Sequence, residues 1–445
     1  MLDTLLACPR CDKVMEALRC PACKVEFPMI NGVPWLFSDP DAAMTEWHNR
    51  WQLALTQLDQ DAQRTEAALK SASGETTHQR LNHLLAGYRT QRRLLADLLG
   101  ALKLTTTANL DALLALRTRP PTQQGLTSYA ANAFRDWCWG EIENNAALAQ
   151  VLLALGNAKP DTVLVLGAGA GRLAYDLHQA LRPTTTVALD NNPLFVYLTE
   201  QIARGETPTL VEFPLAPRNA DDGAIERSLQ APEPAAPGFH AILADGLRCP
   251  FVAGAFDLVV TPWFVDVVPE APANLIPRLN HLLADNGLWI NHGSLAFSDS
   301  DPAARLSLPE FIELTGQFGF ADVSASEQDM PYMDCPNSRH GRVESVVTLA
   351  ARKSAAAKQP TRHQALPEWI VAGREPVPAL PAFQSQAMST RIHAFIMSLI
   401  DGNRSLKDMA KVMEEQQLMP AKEAEAAIRG FLIKMFEEAS SSRAY

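Results

Sequence analysis

Long apolar stretches are missing from this chain of 445 residues. No run approaches the roughly 20 consecutive apolar residues of a membrane-spanning helix. The N-terminus lacks the charged, apolar and small-residue order of a signal peptide. Together these absences lead to the expectation of a cytoplasmic protein with no membrane partner. Positive charge is also scarce: 39 Lys and Arg stand against 50 Asp and Glu, a net charge of -11. That balance, with no basic stripe interleaved with aromatics, argues against broad nucleic-acid binding. What remains is ordinary globular composition, 47% hydrophobic and 20% charged, with room for two to four units and an ample core.

A glycine is also missing where a dinucleotide site needs one. Asp161-Thr-Val-Leu-Val-Leu-Gly-Ala-Gly-Ala-Gly-Arg-Leu-Ala-Tyr-Asp-Leu-His178 reads as a buried strand, a glycine turn and a helix, with Leu173, Leu177 and Leu181 at helical spacing. Such a turn brings backbone N–H groups and a helix N-terminus to a polar ligand. A dinucleotide fingerprint would continue Gly167-x-Gly169 with a glycine at 172. Arg172 stands there, and the third glycine comes one place earlier, at Gly171. A second strand, Thr186-Val-Ala-Leu-Asp190, ends in an acid where a nucleotide site needs a ribose-binding carboxylate. Gly-x-Gly-x-Gly resembles motif I of class I S-adenosylmethionine (SAM) methyltransferases.

Of seven cysteines, four fall in one cluster, Cys8-Pro-Arg-Cys11 and Cys20-Pro-Ala-Cys23. Two Cys-x-x-Cys knuckles offer four thiolates, a closed tetrahedral zinc site with no catalytic position, rather than a disulfide framework. A segment this small has no core of its own, so metal would supply much of its folding energy. The following Glu26-Phe-Pro-Met-Ile-Asn-Gly-Val-Pro-Trp-Leu36 resembles the tail of zinc-ribbon modules that accompany some methyltransferases. Residues 41–117 are helical in pattern, with Leu81, Leu84, Leu85, Tyr88, Leu94, Leu95, Leu98 and Leu99 on recurring faces and Trp47 and Trp51 four apart. Arg119-Pro-Pro-Thr-Gln-Gln-Gly125 breaks the pattern.

Beyond this break, several ordered motifs resemble the carnosine N-methyltransferase family. Tyr129-Ala-Ala-Asn-Ala-Phe-Arg135-Asp136-Trp137 matches its Arg-Asp-Trp entry segment, and Gly167 to Ala174 matches its Gly-Ala-Gly-x-Gly-Arg-Leu-Ala motif. Phe256-Asp-Leu-Val-Val-Thr-Pro-Trp-Phe-Val-Asp266 parallels a family strand ending Phe-Phe-Ile-Asp. Gly287-Leu-Trp-Ile-Asn-His-Gly-Ser-Leu295 parallels its Trp-Ile-Asn strand, and Pro331-Tyr332 with 343–352 its closing hairpin. The departures are a family histidine replaced near Ser298 or Asp299 and a family tyrosine replaced by Glu344; His292 is the candidate to stand in for the histidine.

The expectation is an α/β protein: a Rossmann-type class I SAM methyltransferase with an N-terminal zinc ribbon, a helical segment and a small helical C-terminal domain. The boundaries are 1–38 for the ribbon, 39–128 for the helical segment, 129–353 for the methyltransferase and 354–388 for a Pro/Ala-rich linker. Residues 389–445 carry three short amphipathic helices, with a capping box at Ser405-Leu-Lys-Asp408. Their pattern resembles PqqD-like or winged-helix modules, which implies a leader-peptide or protein partner; a packing bundle is the alternative. The resemblance implies SAM held by Gly167, Gly169, Gly171, Asp190, Asn191 and Asp245, with Arg135 and Arg172 toward its carboxylate. Asp266, His292 and Tyr332 are the catalytic candidates, and Cys8, Cys11, Cys20 and Cys23 the structural zinc ligands. The implied activity is N-methylation of an imidazole or amine in a small peptide or peptide segment. The alternatives are a tRNA or rRNA methyltransferase and a non-catalytic SAM-binding scaffold.

Overall fold

Val163, Leu164, Val165 and Leu166 are all fully buried, as in a parallel strand covered on both faces. The computed structural model describes residues 2–102, 125–297, 302–359 and 376–441, and divides the chain into two units, Met1–Pro367 and Glu368–Tyr445. In the first, β1 (Met29–Ile30), β2 (Val33–Leu36), β3 (Thr162–Leu166) and β4 (Thr185–Asp190) are followed by a separate antiparallel pair, β5 (Thr209–Glu212) and β6 (Ile225–Ser228). Then come β7 (Phe239–Ala244), β8 (Phe256–Pro262), β9 (Leu283–Gly293), β10 (Phe320–Tyr332) and β11 (Arg342–Lys353).

The main sheet has the order β1-β2-β7-β4-β3-β8-β9-β11-β10. From β7 to β9 the neighbours are parallel, whereas β11 runs antiparallel to both β9 and β10. Six parallel strands, β7, β4, β3, β8, β9 and β10, with the reversed β11 inserted before the last, make a sheet like that of Rossmann-type class I SAM methyltransferases. Alternation along β3 sorts its side chains between two layers. Val163 and Val165 pack with Val151, Leu155, Ala174 and Leu177, while Leu164 and Leu166 pack with Leu275, Ile276 and Leu279.

The N-terminal segment is built into this sheet. β2 pairs in parallel with β7 (Trp35 opposite Leu243, Leu36 opposite Ala244), and Trp35 and Leu36 are fully buried. Upstream, Leu6 bridges Phe251, Ala7 N–H donates to Pro250 O at 2.9 Å and Val252 N–H donates to Leu5 O at 2.9 Å.

Two helices, Pro40–Ser71 and Glu75–Leu98, follow the ribbon. Asp39 caps the first by accepting from Ala42 N–H, with Pro40 in the opening turn where its missing N–H costs nothing. Trp47, Trp51 and Leu55 face Leu95 and Leu99 in one core cluster. The second helix lies against β5, where Gln91 accepts from Val211 N–H at 2.6 Å. The part of the expected helical segment at 103–117, the break before Gly125, and residues 360–375 of the Pro/Ala-rich stretch lie outside the described residues; the last residues of that stretch, from Pro381, already belong to a helix.

The second unit contains helices Pro381–Ser398, Leu406–Glu415 and Ala421–Ser441, joined in a core of Ile396, Leu399, Met409, Met413 and Ile428. Ser405 and Asp408 form the reciprocal capping box that their spacing predicts.

Candidate active site

All three glycines of the turn after β3 have positive φ: 74° at Gly167, 55° at Gly169 and 84° at Gly171. Their surroundings differ. A Cβ at Gly171 would lie 2.3 Å from Thr199, and one at Gly167 would lie 2.5 Å from the Phe264 ring, but one at Gly169 would meet nothing within 4 Å. The three positions thus need glycine for different reasons. Gly167 and Gly171 are required by packing against Phe264 and Thr199, and Gly169 is the one bordered by open space.

Asp190 ends β4 beside this turn. It accepts hydrogen bonds from Gly169 N–H and Asn192 N–H, each at 2.9 Å. Burial pushes its carboxyl up to about 6 although these backbone donors oppose the shift. A carboxylate has about four acceptor positions, so capacity remains for a ligand hydroxyl. Asn191 is exposed; its buried neighbour Asn192 caps the helix Pro193–Ala203 and donates to Leu126 O at 2.9 Å. Asp245, just past β7, accepts from Leu247 N–H at 2.9 Å, and burial raises its carboxyl above the usual range. Phe264 packs against Gly246 as well as Gly167, bridging the ends of β3 and β7.

The segment Arg135–Trp139 winds as a single π-helical turn closed by Gly140 N–H to Arg135 O at 2.8 Å, a deviation that often marks functional positions. Trp137 Nε1 donates to Ala170 O at 2.8 Å, tying this turn to the glycine loop. Arg172 fastens it from the other side. Its Nε reaches both Asp176 oxygens, at 2.9 and 2.8 Å, and its Nη1 donates to Asp136 O at 2.8 Å. Arg172 is thus largely engaged within the protein, contrary to the expectation that it waits for a carboxylate.

Arg135 points elsewhere. It pairs with Asp136 (Nε 2.8 Å, Nη2 2.7 Å) and stands over the rings of Tyr332 and Trp263, 5.7 and 6.0 Å from their centroids. Burial works against its charge, but Asp136, Tyr332 and Glu143 more than restore it. Trp263 follows β8 with φ of 43°, a left-handed conformation that is costly for an aromatic residue. Its N–H donates to His292 O at 2.8 Å, and its ring meets His292 edge to face at 4.9 Å and Tyr332 at 5.7 Å.

His292 is fully buried on β9 and shares a 2.9 Å hydrogen bond between Nδ1 and Thr348 Oγ1, its cross-strand partner on β11. Burial first and Arg135 second depress its pKa to about 4. Its Nε2 and the Trp263 Nε1 have no hydrogen-bond partner among the described residues. Buried polar atoms are rarely left so. Asp266 lies four residues past β8 and accepts from Ser294 Oγ at 3.1 Å and Ala296 N–H at 2.8 Å, holding the chain that leaves β9. Glu344, at the departure from the family tyrosine, pairs with Arg342 at 2.5 Å. The other departure, at Ser298 or Asp299, lies outside the described residues.

Arg135, His292 and Tyr332 are thus brought around Trp263, and Gly169 is brought to Asp190. Thr348 and Asn192, which hold His292 and Leu126, are not singled out by any spacing in the sequence, and Asp136, which holds Arg135, stands out there only as the middle of the Arg-Asp-Trp segment. The Arg172–Asp176 pair does carry a signal, since opposite charges four apart on a helix face one another.

The four cysteine Sγ atoms lie within 4.8 Å of one another. Cys8–Cys23 is 3.7 Å, Cys20–Cys23 3.6 Å and Cys11–Cys20 3.4 Å. Zn–S bonds of about 2.3 Å put tetrahedral thiolates about 3.8 Å apart. The N–H groups of Arg10 and Cys23 donate to Cys8 and Cys20 sulfur at 3.4 Å each. The donor set fits a closed structural zinc site.

No protein-family model matches the chain, and no curated protein matches it. Solved structures give weak likenesses. The YcgJ protein of Bacillus subtilis is 11% identical over 47% of this chain and 99% of its own, with a TM-score of 0.34. Human N-acetylserotonin methyltransferase in complex with SAM is 15% identical over 62% of this chain and 71% of its own, with a TM-score of 0.32. The N-methyltransferase NodS of Bradyrhizobium japonicum, in complex with S-adenosyl-L-homocysteine, is 12% identical over 48% and 89%, with a TM-score of 0.32. At this level the function has to be read from the site itself.

Proposed function

We propose that the protein is a SAM-dependent N-methyltransferase acting on an imidazole or amine nitrogen of a small peptide. The observation that carries this reading is the contact between Gly169 N–H and Asp190 at the carboxyl edge of a sheet with this strand order, the edge where open α/β sheets bind ligands. When bound, SAM supplies an electrophilic methyl group on a sulfonium. Asp190 takes the ribose hydroxyls, Asp245 accepts from the adenine amine, and Arg135 offers its guanidinium to the methionine carboxylate. The open face of Gly169 leaves room for the ligand backbone.

On the acceptor side, methyl transfer is an in-line displacement, and the protein mainly holds the nucleophile in reach. Asp266 would accept from one ring N–H of an imidazole and keep the lone pair of the other nitrogen free. It would also stabilise the cation formed. Trp263 and Tyr332 face that cation with their rings. His292, kept neutral by burial, backs the Trp263 ring from β9.

The reading is tested by methyl transfer from labelled SAM into a cell extract split into small-molecule, protein and RNA fractions. Label is expected in histidine-containing peptides and is expected to drop at least tenfold in Asp266→Asn with SAM still bound. Recovery of the label in RNA would overturn the peptide acceptor. Bound SAM with no label in any fraction would make the protein a scaffold.

A further inference from the structure

Tyr332 belongs both to the aromatic cluster around Trp263 and to the wall of a cavity of about 970 Å³. That volume is at the large end of the about 300–1,000 Å³ of pockets for drug-sized ligands. The cavity runs from Tyr332 and Arg342 to the helix Pro40–Ser71, between β5 and the segment after Gly125. Its body is apolar, with Leu53 and Leu58 from the helix, Leu126 and Leu194 from beside the Asp190 turn, and Phe213 past β5. Phe213 stacks on Tyr88 at 4.7 Å, joining the chain past β5 to the helix Glu75–Leu98.

Five charged side chains reach the wall, and each is balanced inside the protein. Glu46 pairs with Arg50, Asp61 with Arg64, Glu212 with Arg227 at 2.8 Å, and Arg342 with Glu344 at 2.5 Å. Glu212 also accepts from Trp139 Nε1 at 3.0 Å. The wall therefore presents no unbalanced charge to a ligand. Its boundary is made by several separate elements, among them the helices Pro40–Ser71 and Glu75–Leu98, the segment after Gly125, β5 and the turn between β10 and β11.

We infer that this cavity holds the acceptor's body, and that the acceptor is a nitrogen base carrying a bulky, uncharged, apolar group rather than a compact polar dipeptide. The nitrogen-bearing head lies at the Tyr332 end and the apolar group extends toward Leu53 and Leu58. This rests on the N-methyltransferase reading only for the identity of the head; the apolar occupancy rests on the cavity alone.

The probes are N-acetyl-, N-hexanoyl- and N-decanoylhistamine, titrated calorimetrically into the full chain with S-adenosyl-L-homocysteine present, with methyl transfer measured separately. A buried methylene contributes about fourfold in affinity. Binding is expected to tighten at least tenfold from the acetyl to the hexanoyl compound. Leu58→Trp and Leu53→Trp, which fill the cavity from one wall, are expected to remove most of that gain while leaving S-adenosyl-L-homocysteine affinity unchanged. Affinity independent of chain length overturns the inference, as does a gain that survives both tryptophan variants. Chain-length-dependent binding without methyl transfer upholds the cavity and removes the N-methyltransferase reading. Methylation of all three at equal KM does the reverse.

Discussion

Trp35 donates its indole N–H to the Tyr197 hydroxyl at 3.1 Å in the buried interior. The two residues belong to the strand β2, which lies between β1 and β7, and to the helix that opens just after Asp190. The bond joins the strand that follows the cysteine cluster to the helix Pro193–Ala203. The same joint is made a second time by Ala7 and Leu5 against Pro250 and Val252, a few residues past Asp245. The ribbon is thus built into the main sheet, through β2 on β7, Trp35 on Tyr197 and Leu5 and Ala7 on the chain past β7.

Loss of metal should therefore reach the whole first unit. Cys8 and Cys20 are fully buried in the same core cluster as Leu164 and Ile242. Structural zinc contributes about 10–16 kcal/mol in small zinc modules, so Cys20→Ser is expected to lower stability by several kcal/mol. The check is one zinc per chain by elemental analysis, with calorimetric unfolding of Cys20→Ser. A transition unchanged in temperature would mean that the ribbon hangs free of the sheet.

The Trp35–Tyr197 bond makes its own prediction. Tyr197→Phe leaves a buried N–H unpaired, which costs about 1–3 kcal/mol, whereas removing both partners is milder than the sum. A double-mutant cycle of Trp35→Phe and Tyr197→Phe, followed by denaturant unfolding, should give a coupling of about 1 kcal/mol. Additive losses would show that the bond contributes nothing.

These joints explain which parts were legible in the sequence. The β3 strand, the glycine turn, Asp190, the four cysteines and the Ser405–Asp408 capping box all rest on neighbours within a few residues, and local pattern carries them. Pairing of Val33–Leu36 with Phe239–Ala244 depends on an edge some 200 residues away, which no local period encodes. The strand histidine was visible as a candidate. Its unpartnered Nε2 was not, because that follows from Thr348 and Trp263 arriving from two other strands or strand ends. The partner of Arg172, Asp176, is on its own helix and so was within reach of local pattern.

Cofactor affinity should depend on acid. Asp190 is pushed up to about 6 by burial, and ribose hydroxyls bind its ionised form. Protonation below that value then competes with binding, and SAM affinity is expected to be about tenfold lower at pH 5 than at pH 8. Titration calorimetry across that range measures it. Asp190→Asn should bind SAM at least tenfold more weakly and lose this pH dependence; a variant that retains wild-type affinity would remove Asp190 from the site.

His292 makes the opposite contribution to stability. Its folded pKa of about 4 lies below the ordinary 6.5, so between those values the unfolded chain binds the proton that the folded one refuses. Stability from this group is therefore present above pH 6.5 and is lost as pH falls toward 4, by about 2 kcal/mol between pH 7 and pH 5. Asp190, with its raised pKa, gains stability as pH falls from about 6 and offsets part of this loss, so the comparison must hold Asp190 fixed. His292→Phe does so. It should be less stable than wild type at pH 7, because Thr348 loses its partner, yet lose about 2 kcal/mol less than wild type on going to pH 5. Equal acid losses in the two proteins, measured by denaturant unfolding, would show that the folded imidazole takes up its proton in the same pH range as the unfolded one. At pH 5 His292 would then be a cation beside Arg135 rather than the neutral ring against which Trp263 packs.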